Sequence, residues 1–182
     1  MARPEPTLDV EREFFANGAR IVAGMDEVGR GAIAGPVTIG VVAIDANVGD
    51  IPAGLRDSKL MTAKRREAMV PLAKEWGIAW ATGSATAAEI DKFGIVTSLG
   101  LAASRALQNL GLTPDVVILD GNTSFLMEEA GGPRIVTRIK ADQDCACVSA
   151  ASVIAKVERD TLMTQLHEQF PHYGWEGNKG YG

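Results

Sequence analysis

Gly24-Met25-Asp26-Glu27-Val28-Gly29-Arg30-Gly31 follows the short apolar run Ile21-Val22-Ala23, and the junction between them decides the reading of the chain. The run reads as the start of a β-strand. It carries two adjacent carboxylates, Asp26 and Glu27, to a strand-to-loop position inside a largely apolar segment. Burying two like charges side by side is costly unless something neutralises them, and a divalent cation does so best. The glycine-flanked Arg30 then sets a positive fork on a backbone that can approach a ligand closely. An acid pair beside an arginine in a glycine turn points to phosphate chemistry.

Working outward, Ile21 to Asp26 is the first expected strand, and Pro36 to Ile44, β-branched and nearly continuous, is the second. Asp45 to Lys59 reads as loop. Thr62 to Glu75 predicts a helix with Thr62 as its N-cap. Ile78 to Ser84 predicts a third strand, Ala87 to Phe93 a short helix, and Ile95 to Leu110 a helix stopped by Gly111. Val116 to Leu119 is a buried-type strand leading into Asp120-Gly121. Arg134 to Ile139 is a fifth strand leading into Lys140-Ala141-Asp142. Ala146 to Gln169 is a long helix that stops before Pro171, and a tail rich in glycine and aromatics runs from Tyr173 to Gly182. The order predicts an α/β domain with a mixed central sheet.

With 182 residues, 46% of them hydrophobic, the chain is long enough for one sizeable core and too short for two full domains. It shows no repeat and no low-complexity stretch. Residues 1–19 are expected to be a loosely ordered lead-in, most clearly Met1 to Asp9 with their two prolines and mixed charge, and residues 20–182 a single domain. No apolar stretch follows a basic start, as a signal peptide requires. No run approaches the ~20 apolar residues of a membrane span. The expectation is a soluble, cytoplasmic protein without a membrane partner. Cys145 and Cys147 read as two small buried residues, because no second Cys or His pair lies near enough for zinc.

The net charge of −5 argues against a general nucleic-acid coating protein. It leaves open an enzyme that handles nucleic acid locally. The cations available to face phosphate are Arg30, Lys59, Lys64 to Arg66, Lys140, Lys156, Arg159 and Lys179.

Four acids share one context. Asp26 and Glu27 end the first strand, Asp120 ends the fourth, and Asp142 follows the fifth or opens the last helix. Ligand sites in open α/β sheets gather at strand ends. If strands one and four are parallel neighbours, Asp26 and Asp120 face each other. Four carboxylates without thiolate or imidazole make a hard oxygen site, suited to Mg²⁺ or Mn²⁺. Two such ions would clamp an in-line phosphoryl displacement. Asp120 also reads as a turn pair with Gly121 and Asp142 as a helix cap, whereas Asp26-Glu27 resists a plainer reading because surface acids rarely follow such an apolar run; Asp160, outside the four, reads as half of a surface ion pair. Other motifs fail. Gly29 to Gly35 has the wrong glycine spacing for dinucleotide binding, no P-loop is present, and His167 and His172 stand apart from any nucleophile constellation.

The motifs just quoted, with Asp57-Ser58-Lys59, Asp120-Gly121-Asn122, Lys140-Ala141-Asp142, the run Ser149 to Asp160 and Lys179-Gly180-Tyr181-Gly182, occur in an order that closely resembles bacterial ribonuclease HII, the type 2 ribonuclease H family. The match runs from about residue 20 to the end. The resemblance implies a ribonuclease H-like fold, a five-stranded mixed sheet flanked by helices. It implies endonucleolytic cleavage of RNA in RNA–DNA hybrids and incision 5′ of single ribonucleotides in duplex DNA, leaving 3′-hydroxyl and 5′-phosphate ends. It implies that Asp26, Glu27, Asp120 and Asp142 hold Mg²⁺ or Mn²⁺. It further implies that Gly29, Arg30 and Gly31 read the ribonucleotide's 2′-hydroxyl, that Tyr181 packs on the sugar beyond the RNA–DNA junction, and that Lys59 lies near the substrate backbone.

The physics is consistent with that carry-over. Only the 2′-hydroxyl separates RNA from DNA at one nucleotide, and it both donates and accepts. Taken alone, Tyr181 reads equally as an ordinary surface aromatic. The sequence stops at Gly182, where family members usually continue into a further helical segment, so a missing C-terminal segment is expected. Two rival readings remain: a ribonuclease H-like DNA nuclease or strand-transfer enzyme, and a hybrid-duplex binder that no longer cuts. The protein is expected to be a monomer, and a contact with a replication clamp would lie beyond the quoted residues.

Overall fold

The computed structural model describes residues 5–122, 124–126 and 130–182. Its elements are α1 (Asp9–Ala16), β1 (Ile21–Val28), β2 (Val37–Asp45), α2 (Ala63–Trp76), β3 (Ala79–Ala85), α3 (Ala87–Phe93), α4 (Ile95–Asn109), β4 (Val116–Asp120), β5 (Arg134–Arg138), α5 (Ala141–Asp144), α6 (Ala146–Gln169) and α7 (Trp175–Asn178), with short 3-10 turns at Ser58–Leu60 and Pro171–Tyr173. The five strands make one mixed sheet in the order β3-β2-β1-β4-β5. β1 runs antiparallel to β2 and parallel to β4, and β4 runs parallel to β5.

Helices cover both faces of the sheet. β2 is buried along its length until Asp45, as its continuous apolar sequence requires of a strand covered on both sides. Side chains alternate across β1: Val22 joins the core under α6, α1 and α2, whereas Ala23 and Met25 join the core under α4. The α6 side is packed backbone to backbone. A Cβ on Gly24 would land on the main chain of Cys147 and Val148, and one on Gly40 would meet Ala151. These two glycines, with the small residues of α6, let the helix lie directly over β1, which carries Asp26 and Glu27, and over its neighbour β2. Cys145 and Cys147 are both fully buried in this layer and unpaired.

Parts of the expected order shift. The lead-in proposed for residues 1–19 is not loosely ordered over its described part; residues 1–4 of it lie outside the described residues. Asp9–Ala16 is helical because Leu8 is buried in the core and Val10, Phe14 and Phe15 pack against it. Thr7 also bridges to Cys145, donating to Asp144 O at 2.9 Å and accepting from Ala146 N at 3.0 Å. β1 runs two residues past Asp26, since Glu27 and Val28 still pair with Ile39 and Thr38. β5 stops at Arg138, and Asp142 sits in its own short helix, entered through Lys140 in the left-handed region at φ 61°. Among the described residues no helix is long and apolar enough to cross a membrane.

Candidate active site

The register of the two central parallel strands builds the site. Met25 pairs with Leu119, so the next residues along, Asp26 and Asp120, lie side by side at the C-terminal ends of β1 and β4. Asp26 is on the α6 face and almost fully buried, against Ser152. Its Oδ1 accepts from Glu27 N at 2.9 Å, and its Oδ2 is buried without a hydrogen-bond partner. Glu27 projects to the other face; its Oε1 is 3.7 Å from Arg30, and its Oε2 is likewise buried and unpartnered. Asp120 is half-buried, with Oδ1 3.5 Å from the backbone N of Asp142. Asp142 is buried; its own carbonyl accepts from Ser149 Oγ at 2.7 Å, which anchors α5 to α6.

A fifth acid and a lysine complete the cluster. Asp57 is buried and accepts from Lys59 N through Oδ1 at 2.9 Å, which shapes the turn that aims Lys59 inward. Lys59 Nζ donates to Asp142 Oδ2 at 3.1 Å. Ser152 Oγ donates to Ser58 Oγ at 2.8 Å, locking that turn to α6 beside Asp26.

The electrostatics follow from crowding. Burial, then the neighbouring charges of Glu27 and Asp120, push the Asp26 carboxyl up to about 8, against the opposing pull of Lys59. Burial likewise raises Glu27, opposed by Arg30, and raises Asp120, with Asp142 adding to it. Burial works to lower Lys59, but Asp26 and Asp142 outweigh it and hold the ammonium above the ordinary lysine value.

Among the described residues no three Asp, Glu, His or Cys side chains close into a finished metal cage. The donor set nevertheless fits Mg²⁺ or Mn²⁺. Such ions keep several waters and use one or two carboxylates together with substrate phosphates. Buried anionic oxygens without donors are costly, so the orphaned Asp26 Oδ2 and Glu27 Oε2 are two oxygens that a cation would satisfy.

The turn after β1 lies at the same end of the sheet. Gly29 has φ +98°, and Arg30 and Gly31 are exposed. The C-terminal tail backs onto this turn: Gly180 O accepts from Ile33 N at 2.8 Å and from Ala34 N at 3.2 Å. Tyr181, next along, is half-buried with Lys156 and Arg159 each about 5.1 Å from its ring centre.

Residues 23–182 match the family model for ribonuclease HII. The chain belongs to the ribonuclease HII family. Ribonuclease HII of Streptomyces avermitilis is 47% identical over 178 residues, which cover 97% of this chain and 74% of that one. Ribonuclease HII of Paracoccus denitrificans is 44% identical over 176 residues, 97% of this chain and 81% of that one. Among solved structures, ribonuclease H2 from Pyrococcus horikoshii superposes with a TM-score of 0.72 at 30% identity, covering 89% of this chain and 81% of that one. Ribonuclease HII of Archaeoglobus fulgidus, solved as a complex with PCNA, gives 0.66 at 25% identity, covering 89% and 82%. Membership makes the chain a ribonuclease H, a hydrolase that cuts nucleic acid internally, on the ribonuclease H-like fold.

The ribonuclease HII fold thus gathers Asp26, Glu27, Asp120, Asp142 and Lys59 at one sheet end, with Gly29 to Gly31 beside them. The expected phosphate-facing cations divide. Arg30 and Lys59 stay exposed next to the acids. Lys156 pairs with Asp160 at 2.7 Å, Arg66 donates to Ser58 O and Met61 O, and Lys179 Nζ donates to Thr164 and Glu176. Arg159 does not face phosphate at all; it is fully buried. His167 is 3.3 Å from Glu176, far in role from any nucleophile. Sequence reading passed over Asp57 and Ser152. The signal for Asp57 was present in the Asp57-Ser58-Lys59 triplet, where only the lysine was taken up.

Proposed function

We propose that this ribonuclease HII cleaves RNA within RNA–DNA hybrids and incises duplex DNA on the 5′ side of a single ribonucleotide, leaving 3′-hydroxyl and 5′-phosphate ends. The observation that carries this reading is the pair of orphaned carboxylate oxygens, Asp26 Oδ2 and Glu27 Oε2, beside the Gly29-Arg30-Gly31 turn. Asp26, Glu27, Asp120 and Asp142 would hold Mg²⁺ or Mn²⁺. Bound there, a pair of such ions would activate the attacking water and stabilise the leaving 3′ oxygen.

The chain's own groups do the rest. Backbone N–H and C=O groups at Gly29 and Gly31 reach a 2′-hydroxyl without an intervening side chain. Arg30, on the exposed side of the turn, takes a backbone phosphate through its fork. Lys59 exchanges Asp142 for a substrate phosphate. Tyr181 lies flat on the deoxyribose past the ribonucleotide, where a second 2′-hydroxyl would lift it. The enzyme would act in the cytoplasm as a monomer, in the removal of ribonucleotides from DNA. A sliding clamp is a candidate partner, by analogy with the archaeal complex.

The test is cleavage of a labelled duplex with one ribonucleotide, with Mg²⁺, Mn²⁺ or EDTA, beside an all-DNA control and an RNA–DNA hybrid. A metal-dependent cut 5′ of the ribonucleotide, absent from the control, is expected. Cutting of the all-DNA duplex would indicate a DNA nuclease instead. Binding without cutting under Mn²⁺ would identify a hybrid-binding protein.

A further inference from the structure

Among the described residues Arg159 is the largest fully buried side chain. A buried guanidinium is costly unless its donors are satisfied, and among the described residues no carboxylate forms an ion pair with it. Its donors go instead to three main-chain carbonyls. Nε donates to Pro36 O at 2.8 Å and Nη2 to Ala34 O at 2.9 Å. Nη1 donates to Lys179 O at 2.8 Å. The first two carbonyls belong to the turn that begins Gly29-Arg30-Gly31, and the third immediately precedes Gly180-Tyr181. The same guanidinium lies about 5.1 Å from the centre of the Tyr181 ring. At its other edge it abuts Gly29, where a Cβ would collide with Nε.

One rigid side chain from α6 therefore ties together two segments far apart in sequence. The direct contacts between them, Ile33 N and Ala34 N to Gly180 O, close the same unit. Met163, one turn further along α6, fills the space against Gly35 and Gly180.

We propose that Arg159 is a positioning residue for substrate choice: it fixes the spacing between the turn at Gly29 to Gly31 and the ring of Tyr181. The proposal rests on the roles given to those two elements above. A single ribonucleotide in DNA must satisfy both elements in one register, because only one 2′-hydroxyl and one following deoxyribose are available. A hybrid offers a 2′-hydroxyl at every position, so a slipped register still finds one. Loosening the spacing thus penalises the single-ribonucleotide substrate selectively. Among the described residues no hydrogen bond or ion pair links Arg159 to the acids on β1, β4 and α5, so these are expected to keep their geometry.

The test uses Arg159→Lys, which keeps the charge and reaches fewer carbonyls, beside Arg159→Met. The Mn²⁺-induced rise in Tm, expected to match wild type, shows that each variant is folded with its acids intact. Displacement by about an ångström can cost on the order of 100-fold, so kcat/KM on the one-ribonucleotide duplex should fall about 100-fold in Arg159→Lys. On the hybrid it should fall by roughly tenfold less. Tyr181→Ala added to Arg159→Lys should cost little more, because the ring is already misplaced; such non-additivity marks coupled residues. An equal loss on both substrates, or additive losses with Tyr181→Ala, would overturn the proposal while leaving the substrate reading intact. A wild-type enzyme that ignores the one-ribonucleotide duplex would overturn both.

Discussion

Lys59 Nζ lies 3.1 Å from Asp142 Oδ2, so the acid cluster already contains a cation of its own. Asp142 is buried, while the Lys59 side chain remains 66% exposed. An ammonium on a flexible, solvated stem can leave when a more highly charged ion enters, and then becomes available to a phosphate.

Lys59→Met removes that competitor. Its Mn²⁺-induced rise in Tm should exceed the wild-type rise, because an ion that binds the folded state more tightly stabilises it more. Catalysis should move the other way, with kcat/KM down roughly tenfold for loss of one charge-assisted hydrogen bond. Thermal melts across an Mn²⁺ titration check the first half; a rise no larger than wild type would refute competition.

Asp26→Asn should abolish cleavage and preserve the fold. It also predicts a pH effect in the metal-free protein. The Asp26 carboxyl is raised to about 8 from 3.8, so its proton favours folding fully below the lower value, and that contribution is lost as pH rises to the upper one. One proton gives a slope of at most about 1.4 kcal/mol per pH unit. Asn has no proton to lose. In urea unfolding with EDTA, the stability gap in favour of Asp26→Asn should widen from pH 5 to pH 8. A gap independent of pH would contradict the burial argument.

Arg30→Ala should raise KM and leave the Mn²⁺-induced Tm shift untouched. Its guanidinium is exposed and 3.7 Å from Glu27, so stability should change by less than about 0.5 kcal/mol. The loss belongs to substrate binding, roughly tenfold in kcat/KM for one phosphate contact. Unchanged steady-state kinetics would remove Arg30 from the substrate track.

Glu11 is fully buried on α1, and its Oε1 accepts from Cys147 N at 3.0 Å, capping α6 from another element. Burial raises this carboxyl. Glu11→Ala leaves that N–H unsatisfied and should cost about 1–3 kcal/mol in urea unfolding. Glu11→Gln keeps the acceptor and should cost less; equal losses would show that the cap is not the source of the stability.

The layered fold was legible because its signals are local. β2 reads as a buried strand from its β-branched run, and α6 ends at Gln169, before Pro171, as expected. The convergence of the acids was legible conditionally: it needed β1 and β4 to be parallel neighbours, a pairing that no local pattern encodes. Three features lay outside local reading. The helix α1 forms because Phe14 and Phe15 find the core, although its flanks read as mixed charge. Val28 stays in β1 because Thr38 is there to pair with it. Arg159 belongs to a residue type that normally seeks water, and only the three carbonyls waiting for it explain its burial.

The strand order has a consequence for the chain as it is made. β1 emerges early and pairs first with β2, while its other edge waits for β4, and α5 follows later still. Domains fold as their segments become available, and pairings distant in sequence form late. A ribosome-bound fragment ending before Asp120 therefore carries Asp26 and Glu27 without their companions. On the proposed assignment of the four acids, such a fragment lacks two of the groups that would hold metal, and it gains the ability to cut only once β4 and α5 are also free to fold.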